Sequence, residues 1–93
     1  MTACEVTIVN SLGLHARAAA RFVHTASGFA ARIRVARGGR EMDGKSIMGL
    51  LLLAAARGAE VTITADGVDE SAAIETLCGL IASGFDEEHA CPS

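Results

Sequence analysis

Tryptophan and tyrosine are missing from this 93-residue chain and phenylalanine occurs only three times. A hydrophobic core must therefore be built from alanine, valine, isoleucine and leucine. With 51% hydrophobic residues there is enough of them for one small domain. Positive charge is also scarce. Eight Lys and Arg against eleven Asp and Glu leave a net charge of −3, which argues against nucleic acid as the main partner and gives no attraction to an anionic membrane. The first residues, Met1-Thr2-Ala3-Cys4-Glu5, lack the basic region and apolar run of a signal peptide. The longest apolar stretch, Ile47 to Ala56, is about half of what spans a bilayer. A soluble, cytoplasmic, monomeric protein without membrane insertion is expected. Cys4, Cys78 and Cys91 are odd in number and show no C-x-x-C spacing, so neither a disulfide framework nor a zinc site is indicated, and buried thiols plus one tail thiol suffice. His89 and Cys91 are too few to hold a metal in a terminal tail. No metal or cofactor is expected.

What is present changes its period in an orderly way. Cys4, Val6 and Ile8 alternate with Glu5, Thr7 and Val9, the pattern of a strand with one apolar face. Asn10-Ser11-Leu12-Gly13 reads as a turn, and Ala16, Ala19, Ala20, Val23 and Ala26 form a helical stripe ending near Gly28. Ile33 and Val35 then alternate with outward arginines, and Gly38-Gly39 signals a hairpin into a short edge strand, Arg40 to Asp43. A second helix is expected from Ile47 to about Ala56, with Ser46 as N-cap and Gly58 closing it. Glu60 to Ala65 reads as a fourth strand. A third helix follows from Glu70 to Ser83, with Asp69 as N-cap and Ala73, Ile74, Leu77, Leu80 and Ile81 inward. Phe85 to Ser93 reads as a frayed acidic tail, so one domain fills residues 1–93 with a loose end from about residue 86. The order βαββαβα predicts an α+β open-faced sandwich: a four-stranded antiparallel sheet with three helices on one face.

The chemistry concentrates in Gly13-Leu14-His15-Ala16-Arg17. A neutral imidazole is a good nucleophile toward a phosphoryl group, and the phosphoramidate it forms is labile enough to pass the group onward. At a helix start, the dipole favours an added phosphate by roughly 0.3–1 kcal/mol. The backbone N–H groups of Ala16 and Arg17 are oriented to meet its oxygens. Arg17 adds a permanent charge and planar donors. His24 and His89 have no such neighbours and read as solvated surface.

This motif, the Gly44-Lys45-Ser46-Ile47-Met48-Gly49 helix start, the element order and the length together make the chain resemble HPr, the family of histidine-containing phosphocarriers of the phosphoenolpyruvate-dependent phosphotransferase system. The resemblance implies a shuttle rather than an independent enzyme: His15 accepts a phosphoryl group from phospho-enzyme I, on Nδ1, and passes it to a histidine of an enzyme IIA domain. It also implies a partner surface near the histidine. In Ile47-Met48-Gly49-Leu50-Leu51-Leu52-Leu53-Ala54 nearly every residue is apolar, although a helix lying on a sheet buries one face. With Leu50, Leu53 and Ala54 inward, Ile47, Met48 and Leu51 form an exposed docking patch rimmed by Arg17 and Arg21. Burial under the third helix or in a dimer is the alternative. Ser46 is sufficiently explained as a helix cap. In many family members, though not all, the corresponding serine is phosphorylated by an ATP-dependent HPr kinase/phosphorylase, and phosphate there would set negative charge against the patch. One departure stands out, because the family usually has proline after the arginine and this chain has Ala18.

Other functions fit less well. Gly44-Lys45-Ser46 is not read as a P-loop, and no second acid, base or metal set accompanies His15. Arg32, Arg34, Arg37 and Arg40 could stripe the open sheet face, but no aromatic alternates with them as a nucleic-acid module requires. The stronger rival is a regulatory adaptor of a nitrogen-type phosphotransferase branch, acting by partner binding.

Overall fold

Val61, Ile63 and Ala65 alternate with Thr62 and Thr64, and this two-residue period puts the apolar set on one side of β4 (Glu60–Asp66). In the computed structural model, which describes residues 1–86, β4 is an inner strand of a four-stranded sheet. The other strands are β1 (Thr2–Thr7), β2 (Arg32–Arg37) and β3 (Arg40–Asp43). The order is β1-β4-β2-β3 and every pairing is antiparallel, with Cys4 opposite Ile63 and Val35 opposite both Ile63 and Met42. The chain order is completed by α1 (Ala16–Ala26), α2 (Ile47–Leu52) and α3 (Glu70–Ala82), the open-faced sandwich that the periodicity predicts. The third helix packs on β1 and β4, and α1 packs on α2 and α3. Ile33, Val35, Val61 and Ile63 meet Leu50, Leu53, Leu77 and Ile81 in a core of mostly aliphatic side chains. Phe22 and Phe85, each about 1% exposed or less, are its largest members.

Several expectations need correction. The buried stripe of α1 is Ala18, Ala19, Phe22 and Ala26, whereas Ala16 is exposed. The spacing of small alanines permits more than one face, and Phe22 decides it because its ring has most area to remove from water. The second helix ends at Leu52 rather than near Ala56: Ala54 takes a positive φ of 50°, which a helix cannot continue through. Arg37 donates to the Leu53 carbonyl at 3.1 Å and Arg40 to the Leu52 carbonyl at 3.1 Å. These two arginines therefore cap a helix end instead of striping the open face. Asp69 is the N-cap residue of α3, its carbonyl accepting from Ala73 N at 3.0 Å, but its side chain makes no capping bond. Its carboxylate accepts from Ala30 N at 2.8 Å and Ala31 N at 2.9 Å, and those bonds, the first above all, hold its pKa below the ordinary range.

At the end of the chain, Phe85 is buried rather than frayed. It has a left-handed φ of 58° within a 3-10 turn, Gly84–Asp86, and its carbonyl accepts from the Arg21 guanidinium. The expected loose segment beyond residue 86, with His89 and Cys91, lies outside the described residues. Cys4 and Cys78 were expected as separate thiols. They form a disulfide between β1 and α3, at positions 74 apart in sequence. Packing of α3 across β1 creates this pair, and no local spacing signals it. Among the described residues no helix is long and apolar enough to cross a membrane.

Candidate functional site

The site begins where β1 leaves the sheet. Ile8, 1% exposed, donates to the Ala59 carbonyl at 2.9 Å and accepts from Gly58 N at 2.8 Å. The chain then reverses through Asn10 to Gly13, closed by the Gly13 N–H donating to the Asn10 carbonyl at 3.1 Å. Glycine is required here. Gly13 has φ +68°, and a Cβ built on it would lie 2.7 Å from the Ala55 carbonyl oxygen and 2.9 Å from Ala56 Cα. That close approach lets Leu14 N donate to the Ala55 carbonyl at 2.8 Å while its side chain enters the core. The loop before His15 is thus fastened to the connection between α2 and β4.

His15 is the N-cap of α1. Its backbone is extended (φ −85°, ψ 179°), and its carbonyl accepts the first helical hydrogen bond, from Ala19 N at 2.8 Å. Its ring closes the same turn, with Nδ1 accepting from Arg17 N at 3.2 Å. A ring nitrogen that accepts carries no proton, so the neutral tautomer is Nε2–H and the Nδ1 lone pair faces the first turn of α1. The imidazole is half-buried, and Ala16 and Arg17 beside it are exposed. The N–H groups of Ala16 and Arg17 belong to the first turn, where no helical acceptor precedes them.

Ser46 caps α2 in the same manner. Its Oγ accepts from Gly49 N at 3.0 Å, and its N–H donates to the Asp43 carbonyl at 3.1 Å. Lys45 is tied down at both ends, its N–H to Asp43 Oδ1 at 2.9 Å and its ammonium to the Phe29 carbonyl at 2.8 Å. Leu50 and Leu53 are buried, as expected, but Ala54 is exposed. Ile47 and Met48 are 42% and 69% exposed, whereas Leu51 is half-buried against the core. Leu52 and Leu12, 53% and 73% exposed, are apolar surface that the spacing missed. Leu12 carried a signal, since a large apolar residue in a turn three residues before the histidine has no core to serve. Arg21 does more than rim a patch, because it binds the Phe85 carbonyl across the helical layer. Among the described residues no group of three or more His, Cys, Asp or Glu side chains is placed to hold a metal ion.

Comparison with known proteins places the chain in a family. The family described as the PTS HPr component phosphorylation site matches residues 2–90. A phosphocarrier protein HPr of Cupriavidus necator is 47% identical over 83 residues, covering 89% of this chain and 93% of its own length. A phosphocarrier protein NPr of Shewanella violacea is 41% identical over 83 residues, covering 89% and 91% respectively. In three dimensions, a crystal structure of an HPr from Thermoanaerobacter tengcongensis superposes with a TM-score of 0.90 at 44% identity, covering 94% of this chain and 98% of the other.

Proposed function

Because this chain belongs to the HPr family of phosphotransferase-system phosphocarriers, we propose that His15 is its phosphoryl acceptor and that the chain relays the group from phospho-enzyme I to an enzyme IIA domain. The observation that carries this reading is the His15 ring at the N-terminus of α1 with Nδ1 turned toward the Arg17 N–H. In the transfer, the Nδ1 lone pair forms the new N–P bond as the donor's N–P bond breaks. The leaving electron pair returns to the donor imidazole. The His15 ring keeps its Nε2 proton throughout, so no separate general base is needed. The phosphoryl oxygens displace the ring from the Arg17 N–H, which then donates to them together with Ala16 N. The Arg17 guanidinium supplies charge at the surface as the group arrives. The reverse sequence, with an enzyme IIA histidine attacking, discharges it.

Partners dock on the exposed apolar surface of α2, chiefly Ile47 and Met48, with Leu51 beneath and Arg21 at the margin. On this reading the carrier acts as a monomer in the cytoplasm. Phosphate on Ser46, as a HPr kinase/phosphorylase would add it, leaves α2 capped and places nearly two negative charges at the edge of that surface. Its effect is weaker docking of enzyme I rather than unfolding. The likeness to an NPr supports a second reading, service to a nitrogen-type regulatory branch. Incubation with phosphoenolpyruvate and enzyme I, followed by intact mass measurement, tests the relay. An acid-labile adduct on the wild type that is missing from His15→Ala supports it, and an unmodified wild type refutes it.

A further inference from the structure

Asn10 is fully buried and is the one buried polar or charged residue among the described residues. It lies in the turn that leads to His15. A polar side chain is costly to bury, so its hydrogen bond has strong geometric authority over whatever it binds. Asn10 Nδ2 donates to the Gly13 carbonyl at 2.8 Å. That same carbonyl oxygen accepts from His15 N at 3.0 Å. Gly13 in turn donates its N–H to the Asn10 carbonyl at 3.1 Å, so residues 10 and 13 are bonded in both directions.

We infer that Asn10 is a positioning residue for phosphoryl transfer: its amide fixes the Gly13 carbonyl, which fixes the backbone of His15 and thereby the aim of Nδ1. The inference rests on His15 being the acceptor. Backbone groups also fasten this loop, Leu14 N to the Ala55 carbonyl and Ile8 to residues 58 and 59. Those bonds hold the loop to the domain, whereas the Asn10 side chain sets the plane of the peptide next to Leu14 and so the entry angle of the helix. Without the amide donor, the Gly13 peptide can rotate and the Arg17 N–H to Nδ1 bond loses its fixed geometry. Misplacement of a reacting group by about 1 Å can reduce a rate a hundredfold.

The test uses the full chain with enzyme I and phosphoenolpyruvate, comparing wild type, Asn10→Ala and Asn10→Ser. Serine is too short to reach the Gly13 carbonyl and serves if alanine does not fold. The rate constant for His15 phosphorylation at saturating enzyme I is expected to fall between about ten- and a hundredfold, with KM for enzyme I within twofold of wild type because the α2 surface is untouched. Independently of activity, 15N spectra of the neutral His15 ring are expected to show the Nε2–H tautomer in wild type and a mixture in the variants. Glu70→Gln, a distant change, serves as the stability control and keeps both readouts. A folded Asn10 variant with lower melting temperature but wild-type rate and tautomer would overturn the inference, since Asn10 would then be structural only. If wild type itself accepts no phosphoryl group, the proposed function fails, and the tautomer spectra still decide whether Asn10 sets the ring.

Discussion

Nδ1 of His15 accepts the backbone N–H of Arg17 at 3.2 Å, so the residue proposed to carry the phosphoryl group already binds a donor that the proposal assigns to that group. The capping bond and the phosphate are alternatives for one donor. Loading therefore needs a small rotation of the ring and no rearrangement of the helix.

Exposed apolar side chains on α2 form the proposed partner surface. Met48 is 69% exposed on the helix that packs against α1. Met48→Asp is expected to leave stability within about 0.5 kcal/mol and to raise KM for enzyme I by about tenfold, corresponding to roughly 1.4 kcal/mol of docking energy. Steady-state phosphorylation kinetics across enzyme I concentrations check this, and an unchanged KM would place the docking surface elsewhere.

Ser46 separates capping from regulation. Ser46→Ala removes the acceptor of the Gly49 N–H and should cost about 1 kcal/mol in urea denaturation, while His15 is still phosphorylated at near wild-type rate. Ser46→Asp retains a cap but adds charge, and should slow that phosphorylation. Equal rates for Ser46→Asp and wild type would remove Ser46 from regulation.

Acid sensitivity should trace to Glu70. Its carboxylate accepts from the Met1 ammonium at 2.9 Å, Thr2 Oγ1 at 2.5 Å and Gly67 N at 3.1 Å, and these partners, the ammonium first, lower its pKa from 4.5 to about 2. A folded value below the unfolded one means that the stabilisation is complete above pH 4.5 and is lost as the pH falls from there toward 2. The Met1 ammonium is raised above 8.0, mainly by its bond to Glu70, so its share is present below that pH and fades as pH rises through the folded value. Denaturation midpoints measured from pH 6 to pH 2 should fall more steeply for wild type than for Glu70→Gln, with parallel curves as the contrary result.

Ala18 stands in the first turn of α1, 1% exposed, where a proline needs no helical acceptor for an N–H. Ala18→Pro is expected to fold, to gain about 0.4–1 kcal/mol through a less flexible unfolded chain, and to keep phosphoryl transfer. A large loss of stability would mean that the Ala18 N–H has an essential partner.

Much of this was legible in sequence because the two periods, 2 and 3.6, name faces directly. Val61, Ile63 and Ala65 declared their strand, and Ser46 declared its cap. Faces built from alanine were ambiguous, and Phe22 rather than the alanine spacing set the rotation of α1. Long-range partners were invisible. Nothing local pairs Cys4 with Cys78, Arg21 with Phe85, or Asp69 with the amides of Ala30 and Ala31. Asn10 read as an ordinary turn residue, because its burial depends on how the loop meets the α2–β4 connection. Leu53 and Ala54 looked like a continuing helix because nothing nearby shows that Arg37 and Arg40 take the carbonyls at its end.

The most direct test is the location of the transferred group. Protein labelled with 15N, charged by enzyme I and phosphoenolpyruvate, should show phosphorus coupled to Nδ1 of His15, with a shifted Arg17 amide resonance, and the signal should vanish when an enzyme IIA domain is added. Phosphorus on Nε2, on His24, or on no histidine would contradict the account.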